Sequence, residues 1–356
     1  MANNLVPMGH AMLDGSTASG VTDEVLVDGD VVFDRHITVG RGPIGDIAAG
    51  GDGIVVVNSG DDSLSLIDAA ASAVGEAMAL VGEPTAVVAS DDRAYVTTGS
   101  ASHDALSIID VDSRAVVASI PLAYGVSALA LSPDGKRVYA GHTSHDRVDV
   151  TVIDTVTERV GTITIGSGPA ASLDALAVDS SGRRLYVAVT DDRGSQLVVV
   201  DAETSRVQSV VTVGSPIRDI ACAGGTAYVL TSDRAVGGAV HVIELSTNKV
   251  TDTVQVGGAP TQLVVSPDHA RAYIVDYDRV IVLCTLSLEI VDSLSVDARP
   301  SCVALGADGA RLYVADYSGA MSVYSVASTI EMLYTQFLAT DPIALSVPRA
   351  LEPVTA

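Results

Sequence analysis

A tyrosine recurs along this chain at a nearly constant interval, each time inside a short block of β-branched residues. It stands in RAYVTTG (Tyr95), RVYAGHT (Tyr139), RLYVAVT (Tyr186), TAYVLTS (Tyr228), RAYIVDY (Tyr273) and RLYVADY (Tyr313), at separations of 44, 47, 42, 45 and 40 residues. An earlier block, GIVVVNSG, puts Val55 in the same place, 40 residues before Tyr95. Seven copies of one unit therefore account for most of the chain, and the fold must be something that such copies can build together.

Residues 126–165 are the clearest copy. They read as four short strands: LALS, then RVYAG after the turn Ser132-Pro133-Asp134-Gly135, then DVTVID after a polar loop, then RVGTITI. Proline presets one turn angle and Asp-Gly closes the reversal, so the first two strands are antiparallel. No block is long enough for an ordinary helix. The third strand carries a marker of its own, an apolar run ending at Asp68, Asp110, Asp154, Asp201 or Glu244, which decays to Cys284 and Ser325 in the last copies. The fourth strand runs into a Gly/Pro turn in every repeat but the third. One four-stranded meander cannot bury both of its faces, so the copies stack.

Four strands in a period of 40–47 residues predict a β-propeller, all-β, with seven blades of four-stranded antiparallel sheet. A solenoid of the same units needs polar end caps, and none is visible. The strand within residues 24–39 matches the register of RVGTITIG and is expected to complete the last blade, leaving no free edge in the ring. The rival closure uses residues 329–337. The expected organisation is a tail over 1–23, the propeller over 24–337 and an extended tail over 338–356.

The tandem motifs VGxxP, SPDGxxxYV and VIDxxTxxV resemble the YVTN-type β-propeller repeat of bacterial proteins, over roughly residues 37–329. The resemblance implies the propeller fold. It spans diverse roles: surface-layer and adhesion proteins, interaction platforms, and relatives of lactonase and haem d1-binding propellers.

Charge narrows the partners. With 20 Lys+Arg against 44 Asp+Glu the net charge is −24, which argues against nucleic acid and anionic lipid surfaces and leaves a protein partner as the expectation. No apolar run is long enough for a membrane span. The first residues lack a basic start followed by an apolar core, so a cytoplasmic location is expected, with export to the cell envelope as the alternative. Cys222, Cys284 and Cys302 sit in apolar strands of three different repeats and read as buried free thiols.

In a propeller the chain reverses at each strand, so loops gather on two faces. Residues leading into the inner strands are expected at the mouth of the central channel: Asp46, Asp174, Arg218, Asp219, Gln262 and Arg299 form the candidate ligand-binding set. The loops between second and third strands hold His103, His142, His145 and Asp146, a set suited to a divalent cation, although the expectation is that no cofactor is needed. The same loops carry Asp61, Asp62, Asp104, Asp191, Asp192, Asp233 and Arg234. No histidine falls in an inner-strand segment, and no nucleophile, metalloprotease or phosphate-loop motif is present. The expected function is a non-catalytic scaffold for a protein or ligand, as one part of a larger assembly. The alternatives are a lactonase-like hydrolase using the channel mouth and an exported adhesion protein.

Overall fold

The computed structural model describes residues 31–51, 53–68, 73–100, 104–123, 125–145, 147–168 and 170–327. They form seven antiparallel sheets arranged as the blades of a closed ring. Blade 3 shows the pattern: Val126–Leu131, Arg137–Ser144, Arg147–Asp154 and Val160–Ser167 are hydrogen-bonded in that order from the channel outward. The other inner strands are Ile44–Gly50, Glu83–Ala89, Ser172–Val178, Ile217–Ala223, Gln262–Val265 and Pro300–Leu305 for blades 1, 2, 4, 5, 6 and 7. Each inner strand touches the inner strands on both sides, the last against the first.

Closure uses the N-terminal strand. Val31–Thr38 pairs antiparallel with Ala320–Val326, from Val31 opposite Val326 to Thr38 opposite Ala320, and becomes the outer strand of blade 7. The rival segment 329–337 and the two expected tails lie outside the described residues. Blade 1 departs from the pattern, because its outer strand is split into Ala73–Val74 and Met78–Ala79, which pair separately with Ser63–Asp68.

The core is distributed between the blades, which explains the repeating tyrosine. Seven apolar clusters occupy the seven inter-blade gaps, and each gap receives one marker residue. Tyr139 packs against Leu185, Val187 and Val200 of blade 4, and Tyr186 against Ile217, Val229 and Ile243 of blade 5. Val55 fills the gap between blades 1 and 2. Except for Tyr228, which keeps a little exposure, the marker tyrosines are essentially fully buried. Full burial of such a side chain contributes about 1.5–3 kcal/mol, so the period of the sequence is the period of the core.

Two polar devices repeat with it. In blades 2 to 5 the acid ending the third strand closes the following turn: Asp154 Oδ1 accepts from the Thr157 N–H at 2.7 Å, and Asp201 Oδ1 from the Thr204 N–H at 2.7 Å. Those turns end in a left-handed residue, Glu158 and Ser205 among them. The arginine two positions before the marker tyrosine reaches into the next blade. Arg93, Arg137 and Arg184 donate to the carbonyls of Thr155, Ala202 and Leu245, the residues just after those turn-closing acids. Arginine suits this contact because its planar fork stays charged and makes directed hydrogen bonds.

Candidate functional site

The channel is shaped by a bulge repeated around the ring. Six inner strands slip by one residue against their second strands, between Ile44 and Asp46, Pro84 and Ala86, Val126 and Ala128, Leu173 and Ala175, Ile217 and Asp219, and Pro300 and Cys302. A bulge takes the extra residue out of the ladder and re-aims its side chain. Arg218 and Asp219, adjacent in sequence, consequently both line the channel.

Directly after the bulge, blades 5, 7 and 1 carry Asp219, Cys302 and Asp46, whereas blades 2, 3 and 4 carry Ala86, Ala128 and Ala175; blade 6, whose inner strand pairs without a slip, has Gln262 as its first residue. At this position the wall is polar along one arc and apolar along the other, while Ser127 and Asp174 bring polar side chains to the channel from blades 3 and 4. The polar residues bind across blade boundaries. Asp46 Oδ2 accepts from the Val87 N–H of blade 2 at 2.9 Å, Asp219 Oδ2 from the Leu263 N–H of blade 6 at 2.8 Å, and Gln262 Oε1 from the Val303 N–H of blade 7 at 2.7 Å. The Gln262 amide also reaches Asp46 Oδ1 at 3.5 Å.

Burial in the channel wall raises both carboxyls. Asp46 is pushed up to about 6, against the pull of the Val87, Ile47 and Gln262 hydrogen bonds. Asp219 is pushed up to about 7, against bonds from Leu263 and Ile220 and with the negative charge of Asp46 adding to the rise. Burial also raises the Cys302 thiol, and the Asp46 charge adds to it. Asp174 is engaged locally, accepting from Ser172 and Thr190 hydroxyls. The channel encloses about 650 Å³, and no histidine is among its lining residues.

Five of the six residues expected at the mouth thus line this channel: Asp46, Asp174, Arg218, Asp219 and Gln262. Arg299 does not. It precedes the inner strand Pro300–Leu305 and lies in the turn that arrives from blade 6, so it escapes the bulge that turns side chains inward. Its guanidinium carbon sits 4.8 Å from the Tyr277 ring centroid and 5.0 Å from that of Tyr317.

That stack lies on the face of the second-to-third-strand loops, across blades 6 and 7. Tyr277 is 59% exposed and Tyr317 48% exposed. Their backbones are held by the buried acids that precede them. Asp276 accepts from the Ala259 N–H at 2.7 Å, and Asp316 from the Ser318 and Ala320 N–H groups at 2.8 and 3.0 Å. The Tyr317 N–H donates to the Arg299 carbonyl at 3.1 Å, locking the two loops together. Sequence alone did not single these tyrosines out, although the signal was there: in these two repeats a second tyrosine, preceded by Asp, follows the marker tyrosine by four residues.

Of the candidate cation set, His142 and His145 fall among the described residues. His142 belongs to the strand Arg137–Ser144 and not to a loop, because pairing with Arg147–Asp154 runs on to Ser144. Its ring is buried, with Nε2 2.8 Å from the Thr151 hydroxyl, and burial holds it below the ordinary histidine range against the pull of Asp149 and Asp104. His145 is exposed at a left-handed turn position. His103 and Asp146 lie outside the described residues. Among the described residues no group of three or more His, Cys, Asp or Glu could hold a metal ion, and the three cysteines are unbridged.

No family model matches the chain. A seven-bladed β-propeller protein of Mycolicibacterium smegmatis is 53% identical over 332 residues, covering 92% of this chain and 90% of that one. The chain belongs to the seven-bladed β-propeller proteins. A second member, from Mycobacterium tuberculosis, is 37% identical to this propeller over 86 residues, 23% of this chain and 22% of the relative. Among solved structures, a chain of Kuenenia stuttgartiensis hydrazine synthase superposes on the propeller with a TM-score of 0.72 at 18% identity, covering 82% of this chain and 98% of that one. A chain of the mitotic checkpoint complex gives 0.70 at 17%, covering 91% and 99%. At such identities the likeness is one of fold.

Proposed function

We propose that this propeller, built of YVTN-type repeats, is a non-catalytic scaffold that binds a protein partner on its loop face across blades 6 and 7. The observation that carries the reading is the exposed stack of Tyr277, Arg299 and Tyr317. Tyrosine and arginine dominate the energetics of protein interfaces, and here they are already ordered, so little conformational freedom is lost on docking. The channel suits a structural role better, because Asp46, Asp219 and Gln262 all join neighbouring blades. Affinity capture from the host tests this, with wild type compared against Tyr277→Ala/Tyr317→Ala. The reading expects a stoichiometric companion that the double variant loses while keeping its melting temperature. A companion retained by the double variant contradicts it.

One observation favours a second reading, a hydrolase at the channel mouth. Asp219, pushed up to about 7, sits in the range that suits a general base or acid near neutral pH. Turnover of a lactone panel that disappears in Asp219→Ala is the result this reading needs.

A further inference from the structure

Arg299 is the unusual member of the stack. The chain has more than twice as many carboxylates as cations, yet no carboxylate pairs with Arg299 among the described residues. Three acids flanking the stack have other partners: Asp276 pairs with Arg279 at 3.4 Å, Asp316 accepts from Ser318 and Ala320, and Asp297 lies 3.1 Å from His36. Arg299 rests over two tyrosine rings and is exposed. A guanidinium resting over aromatic rings keeps its N–H donors for another partner, and the Arg299 side chain makes no hydrogen bond among the described residues. Donors so kept match a carboxylate in a bidentate pair.

We infer that Arg299, held between Tyr277 and Tyr317, is the anchor for a carboxylate on the partner: an Asp or Glu side chain on a peptide segment that lies over the two tyrosine rings. The inference rests on the interaction reading above and adds the chemistry that selects the partner. Charge complementarity supports it. On so acidic a protein an uncompensated arginine is a local positive point, and it favours a segment with one well-placed carboxylate over a uniformly acidic one, which the net charge of −24 repels.

The test is selection of a random-peptide display library on the full-length protein, followed by affinity measurement on the enriched peptides. The expected result is peptides with an essential Asp or Glu, whose change to Asn or Gln weakens binding by roughly tenfold or more. Arg299→Gln should cause the same loss without further loss from the peptide change. Arg299→Lys should not restore affinity, because an ammonium cannot reproduce the planar fork. Circular dichroism and melting temperature of both variants should match wild type. Peptides whose binding is lost in Tyr277→Ala/Tyr317→Ala but indifferent to their own carboxylates and to Arg299→Gln overturn this inference and leave the interaction reading standing. Peptides indifferent to all three residues, or no enrichment at all, overturn both.

Discussion

The Asp219 carboxylate of blade 5 accepts a 2.8 Å hydrogen bond from the backbone N–H of Leu263 in blade 6. The same relation joins Asp46 to Val87 and Gln262 to Val303. Propeller blades meet mainly through apolar packing, which sets distance but little register. A side chain that reaches a neighbour's backbone sets the register as well.

Removing such a link leaves a backbone N–H without its acceptor at the channel wall. Asp219→Ala and Gln262→Ala should each lower stability by about 1–3 kcal/mol. Asp219→Asn should recover only part of this, since Oδ1 and Oδ2 each accept from a backbone N–H and the amide offers one oxygen. Urea midpoints at one pH measure the series.

The pH dependence follows from the raised carboxyls. Asp46 at about 6 and Asp219 at about 7 both lie above the ordinary carboxylate value of 3.8, so between these values the folded state holds protons that the unfolded chain has released. Their contribution to stability is fully present below 3.8 and is lost as pH rises through 6 to 7. The exposed turn acids act oppositely: hydrogen bonds from Thr157 and Thr204 lower Asp154 and Asp201, whose contribution is lost on acidification. Stability measured against pH should therefore fall less between pH 4 and 7 in Asp46→Ala/Asp219→Ala than in wild type. An unchanged slope counts against the burial assigned to these groups.

The inter-blade arginines supply a second link, at the opposite face. Arg137→Met keeps much of the aliphatic stem and removes the 2.9 Å bond to the Ala202 carbonyl. A charged hydrogen bond of this kind contributes about 1.5–3 kcal/mol, and the melting temperature should drop accordingly. Partner capture by the folded variant should be unaffected.

Ring closure depends on the N-terminal strand, whose buried anchors are Val31 and Ile37. Ile37→Asp places an unpaired charge in the cluster shared by blades 7 and 1. The expected result is loss of cooperative unfolding and aggregation through the uncovered edge of Ala320–Val326, read by calorimetry and light scattering.

The architecture was legible because its period is a packing period: Tyr95, Tyr139, Tyr186, Tyr228, Tyr273 and Tyr313 mark gaps that must each be filled. Five channel residues were legible too, from their place at the head of the inner strands. Arg299 was misplaced because one residue separates the crossing turn from the strand, and a bulge decides which side chains turn inward. His142 was read as a loop residue because Gly141 looks like a strand end, yet pairing continues to Ser144. Tyr277 and Tyr317 stayed hidden because the DY dipeptide that marks them says nothing of exposure, which the three-dimensional stack with Arg299 reveals.

Photo-crosslinking in the host tests the central claim most directly. Benzoylphenylalanine is placed at Tyr277, at Tyr317, or at Asp134 on the opposite face, where that residue closes the turn between the first two strands of blade 3. The account predicts one shared crosslinked partner from Tyr277 and Tyr317 and none from Asp134. A partner captured from Asp134 and absent from both tyrosine positions would contradict it.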